Sequence, residues 1–257
     1  MTVTGAHATY PSLVDRTVFV TGGATGIGAS LVEQFASQGA KVGFVDIDAP
    51  SGRALASALA GTRTPPLFVE ADVTDTVALV AAIDAVRARF GPIAALLNNA
   101  ANDQRHTMAS TTPESWDAGI AVNLKQQFFA AQAVVPDMRS LGGGSIVNFG
   151  SVSWMLKLPK MPVYATSKAA IQGLTRSLAR ELGPHRIRVN TLVPGWVMTE
   201  KQVRLWLDDA GRAELARGQC IDAHLLPEHI ARMALFLAAD DSAMCTAGDF
   251  VVDAGWT

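Results

Sequence analysis

The stretch Thr17-Val18-Phe19-Val20-Thr21-Gly22-Gly23-Ala24-Thr25-Gly26-Ile27-Gly28-Ala29-Ser30-Leu31-Val32 decides the fold. Thr17–Thr21 is a short, β-branched apolar run that reads as a buried strand. From Gly26 to Gln38, Ile27, Leu31, Val32 and Phe35 recur on one face of a helix. Between the two lies a turn with glycines at 22, 23, 26 and 28. Such a turn lets backbone approach a pyrophosphate closely. The helix that follows offers unpaired N–H groups and a positive dipole end. The spacing is not G-x-G-x-x-G, so the strand–turn–helix context carries the reading rather than the glycine pattern.

Working outward, the same alternation continues. Strands are expected at Lys41–Asp46, Leu67–Ala71, Ile93–Asn98, Ser145–Phe149, Arg188–Val193 and Phe250–Asp253. Helices are expected at Ser51–Ala60, at Thr74–Phe90 with Thr74 as N-cap, and at Pro113–Leu141 with a bend or break near Pro136. A helix from Val163 to Leu182 stops at Gly183-Pro184, irregular helical material fills 199–219, and Glu228–Ala239 is the last helix. Strict alternation means parallel βαβ units with helices on both faces of one sheet. No Pro/Ser-rich linker, repeat or low-complexity tract interrupts it. The expectation is an α/β Rossmann-like, doubly wound parallel sheet of about seven strands in a single domain over residues 1–257.

Composition sets limits on function. The 257 residues are 49% hydrophobic and 17% charged, which excludes a disordered chain. Lys+Arg is 21 and Asp+Glu 23, with no basic block, which argues against nucleic acid as a partner. Residues 1–16 lack a basic start followed by an apolar run, and stretches such as Phe128–Val135 and Met233–Ala239 are too short to span a bilayer. A soluble, cytoplasmic protein is expected, with Cys220 and Cys245 as buried free thiols in a reducing compartment. His106, His185, His224 and His229 show no metal-ligand spacing, so no metal is expected.

Asp46 ends the second strand, 18 residues past Gly28, near the offset at which an acid meets a ribose in dinucleotide sites. A carboxylate there accepts from both ribose hydroxyls and repels a 2′-phosphate. No Arg or Lys stands at 23–25 or 47–48 to attract one, so NAD is expected over NADP. Helix capping is the plainer role for Asp46, although Asp48 could fill it. Asp72-Val73 follows the third strand, where it could meet the adenine ring or simply start a turn. Tyr164 and Lys168 share a helix face at i and i+4. An ammonium beside a phenol stabilises the phenolate and would let Tyr164 act as a general base. Alone, such a pair is usually an ordinary surface pair.

Taken together, these motifs resemble those of the short-chain dehydrogenase/reductase family. They are Thr21-Gly22-Gly23-Ala24-Thr25-Gly26-Ile27-Gly28, Asp72-Val73, Asn98-Asn99-Ala100-Ala101, Asn123, Ser151, Tyr164-Ala165-Thr166-Ser167-Lys168 and Pro194-Gly195, in that order. Ala101 departs from the family's frequent Gly. The resemblance implies hydride transfer, with Tyr164 taking the substrate's hydroxyl proton. It gives Lys168 the tasks of lowering the Tyr164 pKa and holding the nicotinamide ribose, and Ser151 that of holding the substrate oxygen. Asn123 would keep a relay water in line with Lys168. The cofactor would lie along Gly22, Thr25, Gly26, Ile27, Gly28, Asn99 and Ala100. Asn98 would support the central strand. Pro194, Gly195, Val197 and Thr199 would meet the nicotinamide carboxamide and fix the face it offers.

The polar run Asn102-Asp103-Gln104-Arg105-His106 follows the fourth strand, beside the ligand crevice. It suits a polyhydroxylated substrate: Arg105 and His106 donate and Asp103 accepts. A solvated loop is the plainer alternative. Trp154, near Ser151 and Ser153, could stack on a pyranose or merely pack in a lid. With Gln219-Cys220 and Asp253-Ala254-Gly255-Trp256, these segments resemble bacterial aldose 1-dehydrogenases of the D-xylose, L-arabinose and L-fucose kind. That implies oxidation of an anomeric hydroxyl to a lactone with NAD, with a substrate lid at about 199–219. Two other readings stand beside it. One is an NADPH-dependent carbonyl reductase acting on a 3-oxoacyl thioester or a ketose. The other is a non-catalytic NAD-binding protein. The resemblance also implies a homotetramer built on the helices at about 113–141 and 163–182, with Trp256 at an interface.

Overall fold

Residues 7–257 are described by a computed structural model; the reading of residues 1–16 lies partly outside them. One sheet of seven parallel strands runs in the order β3-β2-β1-β4-β5-β6-β7. The strands are β1 (Thr17–Thr21), β2 (Lys41–Asp46), β3 (Leu67–Glu70), β4 (Ile93–Asn98), β5 (Gly144–Phe149), β6 (Ile187–Pro194) and β7 (Asp249–Val252). The helices are α1 (Gly26–Ser37), α2 (Ala49–Ala58), α3 (Thr76–Phe90), α4 (Pro113–Ile120), α5 (Gln126–Ser140), α6 (Pro162–Leu182), α7 (Glu200–Trp206), α8 (Asp209–Gly218) and α9 (Pro227–Ala238).

Alternation along β1 explains the layering. Val18 and Val20 join a core with α1 and α9, whereas Phe19 joins the opposite core with α3, α5 and α6. Both faces are covered, so the central strands read as continuous apolar runs. β1 lies between β2 and β4. The chain therefore leaves β1 in one direction and returns on the other side, which opens a crevice beyond the C-terminal ends of the strands.

Several local expectations change. The N-cap of α3 is Asp75, whose carboxylate accepts the Val77 and Ala78 N–H groups; Thr74 bonds to Asp72 instead. The helix expected over 113–141 is interrupted by a π-helical turn at Ala121–Lys125, not at Pro136. α5 runs past Pro136 because Asp137 is clamped: Arg87 Nε donates to both of its oxygens at 2.8 and 2.9 Å, and Ile93 N–H donates at 3.1 Å. Residues 199–219 form two ordered helices. Cys220 is exposed rather than buried, and its thiol donates to the Gly255 carbonyl at 3.1 Å; Cys245 is partly buried. Among the described residues no helix is long and apolar enough to cross a membrane.

Candidate active site

A cleft of about 960 Å³ opens at the C-terminal ends of the strands. Its floor is the glycine turn. Gly22 has φ +65°, and a Cβ there would lie 2.7 Å from Ala100 Cα. A Cβ on Gly28 would overlap the Gly22 carbonyl oxygen. Thr25 is the N-cap of α1, yet its side chain makes no capping bond, so the first-turn N–H groups of Gly26, Ile27 and Gly28 remain for a ligand. Asn99 ties the turn to β4, its Nδ2 donating to the carbonyls of Thr21 (3.1 Å) and Gly22 (2.8 Å). Ala100 N–H donates to Thr21 Oγ1 at 3.0 Å. These features fit the pyrophosphate of a dinucleotide.

Asp46 stands at the cleft's edge. Its Oδ2 accepts the Ala24 N–H and its Oδ1 the Asp48 N–H, both at 3.0 Å. It does not cap α2; Asp48 does, accepting from Ser51 N–H at 3.1 Å. Each Asp46 oxygen keeps a lone pair for a ribose hydroxyl. Its chain neighbour Ile47 is exposed and brings no charge to the edge. Asp72 spends Oδ1 on Thr74 and lines the cleft beside Val73. Pro194, Gly195, Val197 and Thr199 line the opposite wall. Asn98 is buried below, donating to Gln127 and Asn148, and shapes the strands only.

The chemical groups meet where β5 and α6 converge. Tyr164 and Lys168 face the cleft from the same side of α6. Lys168 is only 2% exposed; its Nζ donates to the Phe149 carbonyl at 2.6 Å and lies 5.5 Å from the Tyr164 ring centroid. Ser151 stands close enough to the phenol to lower its pKa, and its Oγ accepts the Ser153 N–H at 3.1 Å. Burial sets the titration of both groups. It pushes the phenol up to about 12; Ser151 and the Arg105 charge pull it back, and Asp103 adds to the rise. Burial pushes Lys168 down to about 7 against the pull of Asp103. In the chain alone, loss of water thus outweighs the groups that lower the phenol.

Asn123 is buried in the π turn before α5. Its side chain is consumed by the loop after β4: Oδ1 accepts Asn102 N–H at 2.9 Å, and Nδ2 donates to the carbonyls of Asn102 and Gly119 at 3.0 Å. Its place there fixes the start of the polar run.

The polar run splits three ways. Arg105 lines the cleft, its guanidinium 4.7 Å over the Trp206 ring. Asp103 also lines it, but both oxygens are taken, by Lys201 Nζ at 2.5 Å and Gln202 Nε2 at 2.6 Å. Burial raises the Asp103 carboxyl; the Lys201 and Gln202 bonds outweigh it and hold the group below its ordinary value. His106 does not reach the cleft. Its Nε2 accepts the Val163 N–H at 3.2 Å and its Nδ1 meets the Gln104 carbonyl at 3.0 Å, so the neutral ring carries its proton on Nδ1. It caps α6, whose N-cap Met161 has no side-chain bond to give.

Trp154 also misses the cleft. The turn over 152–157 closes on itself, with Leu156 N–H donating to the Val152 carbonyl at 2.9 Å, and the Trp154 indole N–H is buried without a partner. The aromatic wall is built by Trp196 and Trp256 instead, their ring centroids 6.2 Å apart. Within the chain Trp256 is carried to this wall because Asp253 accepts from Gly255 N–H, Thr257 N–H and Thr257 Oγ1 and folds residues 253–257 back onto the site. A signal for this lay in Gly211 and Gly218, where any Cβ would crowd the Trp196 and Trp256 rings. Ser153 lines the cleft with its hydroxyl buried and unpartnered. Among the described residues, no three His, Cys, Asp or Glu side chains converge on a metal site.

Residues 22–257 match the family described as enoyl-(acyl carrier protein) reductase. The chain is 46% identical over 251 residues to a D-xylose 1-dehydrogenase of Caulobacter vibrioides, covering 98% of this chain and 99% of that one. It is 48% identical over 247 residues to a protein of Rhizobium meliloti named "Probable galactose dehydrogenase GalD", covering 96% of each. Among solved structures, a Serratia marcescens short-chain dehydrogenase/reductase carrying two Phe-to-Leu changes superposes with a TM-score of 0.87 at 32% identity, over 95% of this chain and 99% of that one.

Proposed function

The chain belongs to the short-chain dehydrogenase/reductase family, whose oxidoreductases work with a nicotinamide cofactor, and from that premise we propose that it oxidises the anomeric hydroxyl of an aldose to the aldonolactone, with NAD. The observation that carries the sugar reading is the wall that shares the cleft with Tyr164. It joins an unneutralised guanidinium, Arg105, to two indoles, Trp196 and Trp256, and so offers donors for hydroxyls and a flat face for ring C–H groups. Both full-length relatives are named for aldoses, which supports it.

Oxidising an alcohol requires a base for the O–H and an acceptor for the C–H hydrogen. Bound NAD supplies the hydride acceptor. Ser151 holds the substrate oxygen against the Tyr164 phenol. To take that proton Tyr164 must itself be the phenolate, so the phenol that burial in the chain alone holds at about 12 has to be lowered in the assembled site by positive charge beside it. Lys168 Nζ, held on the Phe149 carbonyl and 5.5 Å from the Tyr164 ring centroid, supplies that positive charge when it is protonated. Asn123 holds the Asn102 end of the polar run in register with this group. Residues 199–219 form the lid over the sugar.

NAD is favoured over NADP by Asp46. Its lone pairs suit ribose hydroxyls, and no cation flanks it to balance a 2′-phosphate. The test is NADH formation by purified protein with NAD and NADP, across aldoses, alditols and secondary alcohols. Turnover of aldopyranoses with NAD is expected. Silence on every aldose, with activity only on another alcohol or only in the reductive direction with NADPH, would overturn the reading.

A further inference from the structure

Two contacts fasten α7 to the polar run after β4. At the N-terminal end of α7, Lys201 and Gln202 hold the two oxygens of Asp103. At its C-terminal end, the Trp206 ring lies 4.7 Å from the Arg105 guanidinium carbon. A third bond, Trp196 Nε1 to Gln202 Oε1 at 3.0 Å, fixes the same helix to the aromatic wall. α7 is only seven residues long and buries none of them, so these contacts, not a hydrophobic face, set where it lies.

Arg105 is the unusual member. The carboxylate nearest in sequence, Asp103, is committed to α7, and Arg105 Nε is buried with no partner. A buried donor left unpaired is costly, so the guanidinium is not held by its own hydrogen bonds. What holds it is the indole behind it. Trp206 does not line the cleft, whereas Arg105 does.

We infer that Trp206 is a positioning residue for the substrate half of the cleft: carried on α7, its indole fixes the Arg105 guanidinium in the cleft wall, ready to donate to a substrate oxygen other than the one Tyr164 deprotonates. The Asp103–Lys201–Gln202 cluster completes the clasp by locking α7 to the loop that carries Arg105. An arginine free to swing would lose side-chain entropy on binding each substrate; one already stacked loses little. The clasp thus acts on substrate affinity and not on the proton or hydride steps. For its kinetic arm the inference rests on the sugar-oxidation reading above.

The experiment compares Trp206→Ala, Trp206→Phe, Arg105→Ala and the double variant Trp206→Ala/Arg105→Ala. Kinetics are measured on the aldose that turns over best, and hydrogen exchange on residues 102–106 and 200–206. Trp206→Ala is expected to raise the KM for the aldose about two- to fivefold, the size of an exposed cation–π contact, with kcat and the KM for NAD unchanged. Trp206→Phe, which keeps a ring, is expected to behave as wild type. Adding Trp206→Ala to Arg105→Ala is expected to cost nothing further, because both remove one interaction. Exchange at 200–206 is expected to quicken in Trp206→Ala and not in Trp206→Phe. Additive losses in the double variant, equal behaviour of the Phe and Ala variants, or unchanged sugar KM would each overturn the inference. If no aldose turns over in wild type, the sugar reading fails by itself. The exchange arm then decides the clasp: quickening in Trp206→Ala alone upholds it, and its absence removes it.

Discussion

Lys168 lies one helical turn beyond Tyr164, with its Nζ 5.5 Å from the Tyr164 ring centroid and bonded to the Phe149 carbonyl at 2.6 Å. That geometry holds the ammonium beside the ring, while Ser151 acts on the phenol from the end of β5. The two residues therefore carry separable tasks. Tyr164→Phe removes the base and leaves the cleft's shape. Turnover should fall by about a hundredfold or more, the usual contribution of a positioned general base, while NADH binding followed by fluorescence stays intact. Retention of most of the rate would move the base elsewhere.

Burial of Lys168 makes stability depend on pH in a definite direction. Its pKa falls from 10.5 to about 7 on folding, so between those values the unfolded chain binds more protons than the folded one, and stability rises with pH. Tyr164 rises from 10.0 to about 12, so it opposes this only above pH 10, where stability falls. In cofactor-free protein the urea midpoint should rise from pH 7 to pH 9.5. Lys168→Met should be flatter over that window; an equal rise in the variant would deny Lys168 its buried, deprotonating role.

Asp46 joins two functions that a substitution would separate. Asp46→Ala with Ile47→Arg removes the ribose acceptor and adds a cation for a 2′-phosphate. The kcat/KM ratio of NAD to NADP should drop by about ten- to a hundredfold, the worth of a charged hydrogen bond. The same change leaves the Ala24 and Asp48 N–H groups without their acceptor, so thermal stability should fall as well. Unchanged selectivity would remove Asp46 from the ribose.

His106 tests a correction. Its ring spends both nitrogens on the protein, on Gln104 and on Val163 at the start of α6. His106→Ala should cost about 1 kcal/mol of stability, as loss of a helix cap does, with little change in sugar KM. A large KM effect at unchanged Tm would restore it as a substrate ligand.

The residues legible in the sequence are those whose neighbours along the chain create their surroundings. The glycine turn follows directly on β1 and opens α1, so Gly22, Gly26 and Gly28 announce the cleft locally; Tyr164 and Lys168 share a helix turn. Trp154 and Trp196 show the opposite case. Trp154 is close to Ser151 in sequence yet turned aside by a bond between Val152 and Leu156, whereas Trp196 gains its place from Gln202, Gly211 and Trp256, none of them adjacent. The π turn at 121–125 was hidden because Ala121-Val122-Asn123-Leu124-Lys125 has ordinary helical composition, and only the bonds from Asn123 to the loop after β4 distinguish it.

The two tryptophans give the sharpest test of the substrate wall. Trp196 lines the same cleft as Tyr164, its ring tilted at 33° to that of Trp256, and is anchored by Gln202. A sugar ring laid on this wall would gain contact worth about 0.5–1.5 kcal/mol, an aromatic pair's range. Trp196→Ala should therefore raise the aldose KM by about two- to tenfold and spare the KM for NAD. Trp154→Phe should leave both constants alone, since its ring faces protein rather than the cleft. Steady-state kinetics of the two variants on one aldose separates them, and the reverse ranking would return the stacking role to Trp154.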